Sequence, residues 1–336
     1  YAVEVVKEGN IILDNVKEVA AGTAHSLALT KDGYVYAWGN NSNGQLGNGD
    51  TSSTNEKFHD NDTTDGIYAA QKVYRGERAA TNDDWYIQDV IDIAAGKSFS
   101  VALKADGTVW TWGDNTYGQL GNNSVTPSSM PVQVRNPISD GYLDGIVKVA
   151  QGKYHSVALT SDGKVYTWGH GADGQLGTGN TSDSLIPVAV VTGASTSETE
   201  DAQYLTDIVD ITAGDDFTAA LDNKGRVWMF GNNASGLLGI SKTDDIQKYP
   251  QRVLAGKSKS TTMYLENIVS IAAGAHHMLA LDKNGSVWAW GDNSYSQVGN
   301  NSTADVVAVP AQVMYEYDKE NHVGVLLTDI RQISVG

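Results

Sequence analysis

The stretch 146–177, IVKVAQGKYHSVALTSDGKVYTWGHGADGQLG, decides the fold. IVKVA alternates apolar and polar residues, the two-residue period of a strand with one buried face. Gly152 interrupts it, and HSVALT is a second such run. Ser161-Asp162-Gly163 is a hairpin signal, because Asp-Gly accepts the positive φ that a tight turn requires. KVYTWG is a third run, ending at Trp168-Gly169. GADGQLG is glycine punctuation around one leucine. The expectation is three antiparallel strands joined by short connections.

The pattern recurs from Val16, Val90, Ile208 and Ile268, anchored on Gly22, Gly96, Gly152, Gly214 and Gly274. The hairpin signal returns at Asp32-Gly33, Asp106-Gly107, Lys224-Gly225 and Asn284-Gly285. The aromatic-glycine pair returns at Trp38-Gly39, Trp112-Gly113, Phe230-Gly231 and Trp290-Gly291. Near-copies at such a period are the mark of a repeat architecture. A further run stands before most copies: QKVYR (71–75), PVQVR (131–135), PVAVV (187–191), PQRVL (250–254) and PAQVM (310–314). YAVEVVK (1–7) reads as the same run before the first copy. Pro is tolerated at the start of a strand, where no ladder donor is needed. Four antiparallel strands per unit, repeated radially, predict an all-β fold, a β-propeller. Placing the Pro-led strand at the head of each unit gives blades at about 1–47, 68–121, 130–177, 187–239 and 249–299, with half a sixth at 309–336. The expectation is one propeller domain belonging to a ring of six or seven blades, its polypeptide continuing beyond Gly336.

The chain has 336 residues, 40% of them hydrophobic, and a formal net charge of −17. That acidity argues against nucleic acid and anionic membrane surfaces as partners, since phosphate needs a basic face. No apolar run approaches a membrane span, so no membrane insertion is expected. There is no cysteine, which removes disulfides, thiolate metal sites and cysteine nucleophiles. The composition suits a secreted or cell-surface protein of bacterial type.

The consensus AxGxxHSLALxxDGxVYxWGxNxxGQLG resembles the repeat of the regulator of chromosome condensation family, and the match extends over nearly the whole chain. The resemblance implies a seven-bladed propeller. Family members serve as a guanine-nucleotide exchange factor on chromatin, as ubiquitin-ligase modules, as a plant ultraviolet receptor and as bacterial β-lactamase inhibitors. The scaffold is common to them and the function differs by surface.

Most candidate site residues also have a scaffold explanation, Tyr315 and Tyr317 least of all. The third residue after each anchoring glycine is His25, Phe99, His155, Phe217 or His277. A position that alternates between His and Phe fills space. The receptor's Trp and Arg after that glycine are absent: the positions read Thr23-Ala24, Lys97-Ser98, Lys153-Tyr154, Asp215-Asp216 and Ala275-His276. Asp60, Asp62 and Asp65, in HDNDTTDG, are candidate ligands for a hard cation, although the spacing departs from the helical calcium loop. No GxSxG, HExxH or phosphate-cradling glycine loop is present, so neither catalysis nor a cofactor is expected. The loops after the Pro-led strands vary most, at 76–89, 136–145, 192–207, 255–267 and 315–329, and variable loops on a repeated scaffold are where binding resides. They carry Trp85, Tyr142, Tyr204 and Tyr264 before the next inner strand, and Tyr315 and Tyr317 outside that register. The reading is a non-catalytic scaffold binding another protein through these loops. The alternatives are a secreted inhibitor of a β-lactamase-type enzyme and, less favoured, a nucleotide exchange factor. Strand addition at the incomplete sixth unit is a route to self-assembly.

Overall fold

A computed structural model describes residues 4–51, 67–76, 85–193, 204–241, 246–256, 263–318 and 323–335. The chain divides into two compact units, residues 1–156 with 183–187 and residues 157–182 with 188–336. In the first, β1 (Val6–Lys7), β2 (Ile11–Ile12), β3 (Val16–Ala21), β4 (His25–Thr30), β5 (Val35–Gly39) and β6 (Ile67–Lys72) form one sheet in the order β2-β1-β6-β5-β4-β3. The next sheet holds β7 (Val90–Ala95), β8 (Phe99–Lys104), β9 (Val109–Gly113) and β10 (Ser128–Gln133). A third, whose residues are divided between the two units, holds β11 (Ile146–Gln151), β12 (His155–Thr160), β13 (Val165–Gly169) and β14 (Ser184–Ala189). The second unit contains the sheets β15 (Ile208–Ala213), β16 (Phe217–Asp222), β17 (Val227–Gly231), β18 (Gln247–Arg252) and β19 (Ile268–Ala273), β20 (His277–Asp282), β21 (Val287–Asp292), β22 (Val306–Gln312).

The strand types have different burial because they have different neighbours. The second strand of a blade lies between sheets and is buried on both faces, so FSVALK and FTAALD read almost continuously apolar or small. The innermost strand alternates. Ile93, Val149, Ile211 and Ile271 are buried, whereas Val147, Val209 and Val269 are each at least half exposed. The hairpin glycines do a second job: the first N–H of the next inner strand donates to their carbonyls. Val90 N reaches Gly33 O at 3.2 Å, Ile146 N reaches Gly107 O at 3.2 Å, and Ile268 N reaches Gly225 O at 3.1 Å.

Blade junctions share a polar clasp on the second residue of the GQLG turn. Trp112 Nε1 and Ser100 Oγ both donate to Gln45 O, at 2.9 and 2.8 Å. Ser156 Oγ donates to Gln119 O, Thr218 Oγ1 to Gln175 O and Trp290 Nε1 to Leu237 O. The WGxN asparagine closes the same turn, Asn41 Oδ1 accepting from Leu46 N at 3.0 Å and Asn115 Oδ1 from Leu120 N at 2.9 Å.

Several sequence expectations are corrected. The Pro-led strand closes the preceding sheet as its outermost strand: Val132 pairs with Thr111 and Gln133 with Trp110. The strand that follows each WG strand pairs antiparallel with it, and Pro131 lies within an irregular stretch of an edge strand, where its missing N–H costs little. The blades therefore run inner to outer across 16–72, 90–133, 146–189, 208–252 and 268–312. Among its described residues YAVEVVK opens no blade. Val6–Lys7 instead pairs in parallel with β6, Lys7 opposite Ala70, because the outer edge of a blade has free backbone groups. PAQVM is split: residues 310–312 end the outer strand of the fifth sheet, and Met314 opens β23 (Met314–Asp318), which pairs antiparallel with β24 (Val323–Leu326). Ile330 N donates to Gly285 O at 3.1 Å, as the inner strands do, but residues 327–335 have no ladder pairing.

Candidate protein-binding surfaces

The loops between an outer strand and the next inner strand are fastened at their bases by single bridges: Tyr74 with Tyr86, Arg135 with Tyr142, Val191 with Tyr204, and Leu254 with Tyr264. The following residue points inward. Ile87, Leu143, Leu205 and Leu265 are all buried and donate their N–H to Val73, Val134, Val190 and Val253. This register corrects one site residue: Tyr86, not Trp85, is the structural equivalent of Tyr142. The bond from Ile87 N to Val73 O, at 3.1 Å, fixes it. Tyr142 and Tyr204 are 47% and 45% exposed. The Arg135 guanidinium stands 5.1 Å from the Tyr142 ring centre, and Arg252 stands 4.1 Å from that of half-buried Tyr264. Trp85 is partly exposed and meets Tyr74 edge-on. Tyr315 is exposed on β23, and Tyr317 pairs there with Gly324. Asp60, Asp62 and Asp65 lie outside the described residues.

At the other ends of the strands the sequence reading missed two clusters. In the first unit Lys97 Nζ donates to Tyr154 Oη at 2.7 Å, and the Tyr117 and Tyr154 rings are 5.1 Å apart. These residues stand beside anchoring glycines or in GQLG turns, where sequence periodicity shows only scaffold. In the second unit His170, Asp173 and Asp216 bring one ligand atom each within 4.8 Å of one another. Spacing alone would admit a divalent ion. The hydrogen bonds argue otherwise. Gln175 Oε1 accepts from Asp173 N at 2.9 Å, which turns its amide nitrogen toward His170 Nδ1 at 3.0 Å. Gln119 and Gln297 aim the same donor at Asp114 and Asp292 carboxylates. This geometry offers His170 Nδ1 a donor. A metal on Nε2 would leave a protonated Nδ1 facing an amide donor, contrary to the usual second-shell arrangement.

The inner strands hold a carboxyl pair. Burial, then the charge and hydrogen bond of Asp92, push the Glu18 carboxyl up to about 7. Asp92 also accepts from Val149 N at 3.1 Å, so the pair ties neighbouring inner strands together. Between about 4.5 and 7 the folded chain holds a proton that the unfolded chain has released, so stability falls as pH rises through that window. His25, held neutral by burial, pulls the other way below about 6.5, so the check is the difference between parent and variant: thermal midpoints of the parent should fall relative to those of Glu18→Gln as pH rises from 4.5 to 7, and parallel profiles would refute the assignment. His25 is a space-filler. Burial lowers its pKa to about 4, and its Nε2 bonds Ser100 Oγ at 2.9 Å.

A profile of the regulator of chromosome condensation (RCC1) repeat matches residues 32–59, 106–159, 162–221, 224–281 and 284–336. A second profile of the repeat matches 16–45, 90–119, 146–175, 208–237 and 268–297. The human E3 ubiquitin-protein ligase HERC2 is 32% identical over 292 residues, which is 86% of this chain and 5% of the ligase. Protein pim1 of Schizosaccharomyces pombe is 32% identical over 289 residues, 84% of this chain and 48% of that protein. The chain thus spans about half the length or less of these curated relatives. Among solved structures, yeast RCC1 (Prp20) bound to Kap60 aligns with a TM-score of 0.67 at 25% identity, covering 92% of this chain and 65% of that one. Human WBSCR16 aligns with a TM-score of 0.65 at 23% identity, covering 89% and 67%, and shows the fold alone. With profile matches across most of its length and five four-stranded antiparallel blades behind them, this chain belongs to the regulator of chromosome condensation repeat family and has its β-propeller fold.

Proposed function

We propose that the chain is a non-catalytic protein-binding scaffold that engages its partner through the loops leading from each outer strand to the next inner strand. The observation that carries the reading is the set of Tyr142, Tyr204 and Tyr264, held at loop bases by backbone bridges, the first two nearly half exposed. A fixed aromatic loses little freedom on binding and supplies large contact area, which is why Tyr concentrates binding energy at interfaces. The solved complex of yeast RCC1 (Prp20) with Kap60 supports the reading at the level of architecture. An extracellular or cell-surface setting is part of the proposal and rests on composition alone. Inhibition of a secreted enzyme and nucleotide exchange are narrower versions without a residue that singles them out.

Capturing the partner on immobilised chain, then replacing Tyr142, Tyr204 and Tyr264 together by Ser, tests the proposal. Each substitution is expected to weaken binding by about 1–2 kcal/mol. Intact binding with a lowered melting temperature would make these tyrosines scaffold and end the reading. A second assembly route rests on residues 327–335, which lack ladder pairing and leave Ile330 and Ile333 half-buried. Pairing with another copy along that segment predicts a mass that rises with concentration in sedimentation; a constant mass would exclude it.

A further inference from the structure

Lys72 ends β6 directly across from Tyr36. Its ammonium nitrogen lies 3.7 Å from the centre of the Tyr34 ring, 5.3 Å from Tyr86 and 5.8 Å from Tyr36. Among the described residues this ammonium has no carboxylate or hydrogen-bond acceptor, so three ring faces are its counter-charge. Lys7 provides the contrast: it approaches the Tyr36 ring at 6.0 Å but is paired with Asp14 at 3.5 Å. The aromatic surface continues outward. Tyr74 stacks on Tyr86 at 5.6 Å, and Trp85 meets Tyr74 edge-on and is 38% exposed. An open cleft of about 570 Å³ lies beside Tyr36, with Asp14 and Asp32 on its wall. Burial, and then the negative charge of Asp32 and Asp14 together with the neighbouring tyrosines, raise the Tyr36 phenol above its ordinary pKa.

This geometry fits one ligand class. Ring faces attract a cation without offering a hydrogen-bond acceptor. A methylated ammonium asks for few acceptors, whereas a bare ammonium gives up water that rings do not replace. The surrounding carboxylates and the chain's charge of −17 favour cations and disfavour anions. We propose that Tyr34, Tyr36 and Tyr86 form a cation cage for a methylated lysine side chain of a partner protein, and that Lys72 is an internal occupant which that side chain displaces. The cage stands on the loop face assigned above to partner binding, so the inference rests on that reading.

The test titrates the whole chain with a short peptide carrying one trimethyl-lysine, with the unmethylated and acetylated peptides, and with tetramethylammonium chloride. The readout is the tyrosine ring resonances. Lys72→Met keeps an apolar stem and removes the charge, and it should bind the trimethylated peptide at least ten-fold more tightly than the parent. Lys72→Arg refills the cage and should bind as weakly as the parent. Adding Tyr34→Ala to Lys72→Met should abolish the gain, with melting curves confirming that both fold. Tetramethylammonium should shift the same resonances if the cation suffices without the peptide; binding of peptide alone, or equal binding of the acetylated peptide, would overturn the cage. Equal affinity in parent and Lys72→Met would overturn it too. The cage and the broader reading fail separately. Partner capture lost in the triple Tyr142, Tyr204, Tyr264 variant but indifferent to Lys72→Met removes only the cage.

Discussion

Replacing Trp112 by Ala is expected to destabilise the chain by about 3–5 kcal/mol, the usual loss for truncating a buried aromatic. The side chain is fully buried and belongs to the apolar cluster of Leu27, Leu29, Leu46, Val73 and Ile93. Its indole N–H holds Gln45 O, the carbonyl on which Ser100 also converges. Truncation removes contacts from both blades and half of that clasp. Trp38 is the internal control, since it stands at the same place in the first repeat but is only half-buried. Its indole has no hydrogen-bond partner among the described residues. Trp38→Ala should cost no more than about half as much, because less area returns to water. Urea unfolding of the two variants, followed by fluorescence, checks the difference. Equal losses would show that the clasp adds nothing to the junction.

Gly113→Ala is expected to lower stability by about 2–5 kcal/mol, combining backbone strain with forced displacement of packed atoms. Gly113 adopts φ +106, and a Cβ there would lie 2.5 Å from Ser98 O and 2.7 Å from Phe99 Cα. Both are backbone atoms, so no side-chain rotation relieves the contact. Ser98 O also accepts from Asp114 N at 2.9 Å, and that bond would be strained with it. Gly145→Ala separates the two causes. Its φ is +67 with no atom within 4 Å of the added Cβ, so only the conformational cost of roughly 1–2 kcal/mol remains. Denaturant midpoints that fall equally in both variants would refute steric exclusion as the reason for glycine after the tryptophan.

That glycine is one of the features written locally in the chain. The WG pairs, Asp-Gly turns and alternating runs fixed strand, hairpin and repeat, because each is a local requirement: a period of two, a positive φ, a missing Cβ. The −17 charge and the variable loops were legible in the same way. Which strands share a sheet was not. Val132 pairs backward with Thr111 through a contact between segments 21 residues apart, and nothing in PVQVR states on which side of the unit it will lie. Register across loops was equally hidden. One hydrogen bond from Ile87 to Val73 exchanges Trp85 for Tyr86 in the series of tyrosines, because adjacent residues on an extended chain face opposite ways. The candidate sites depended wholly on such pairings. Tyr34, Lys72 and Tyr86 come from three separate segments and meet only through strand pairing and loop closure. A cation and its rings interact over a few ångströms of space, and only tertiary structure sets that distance.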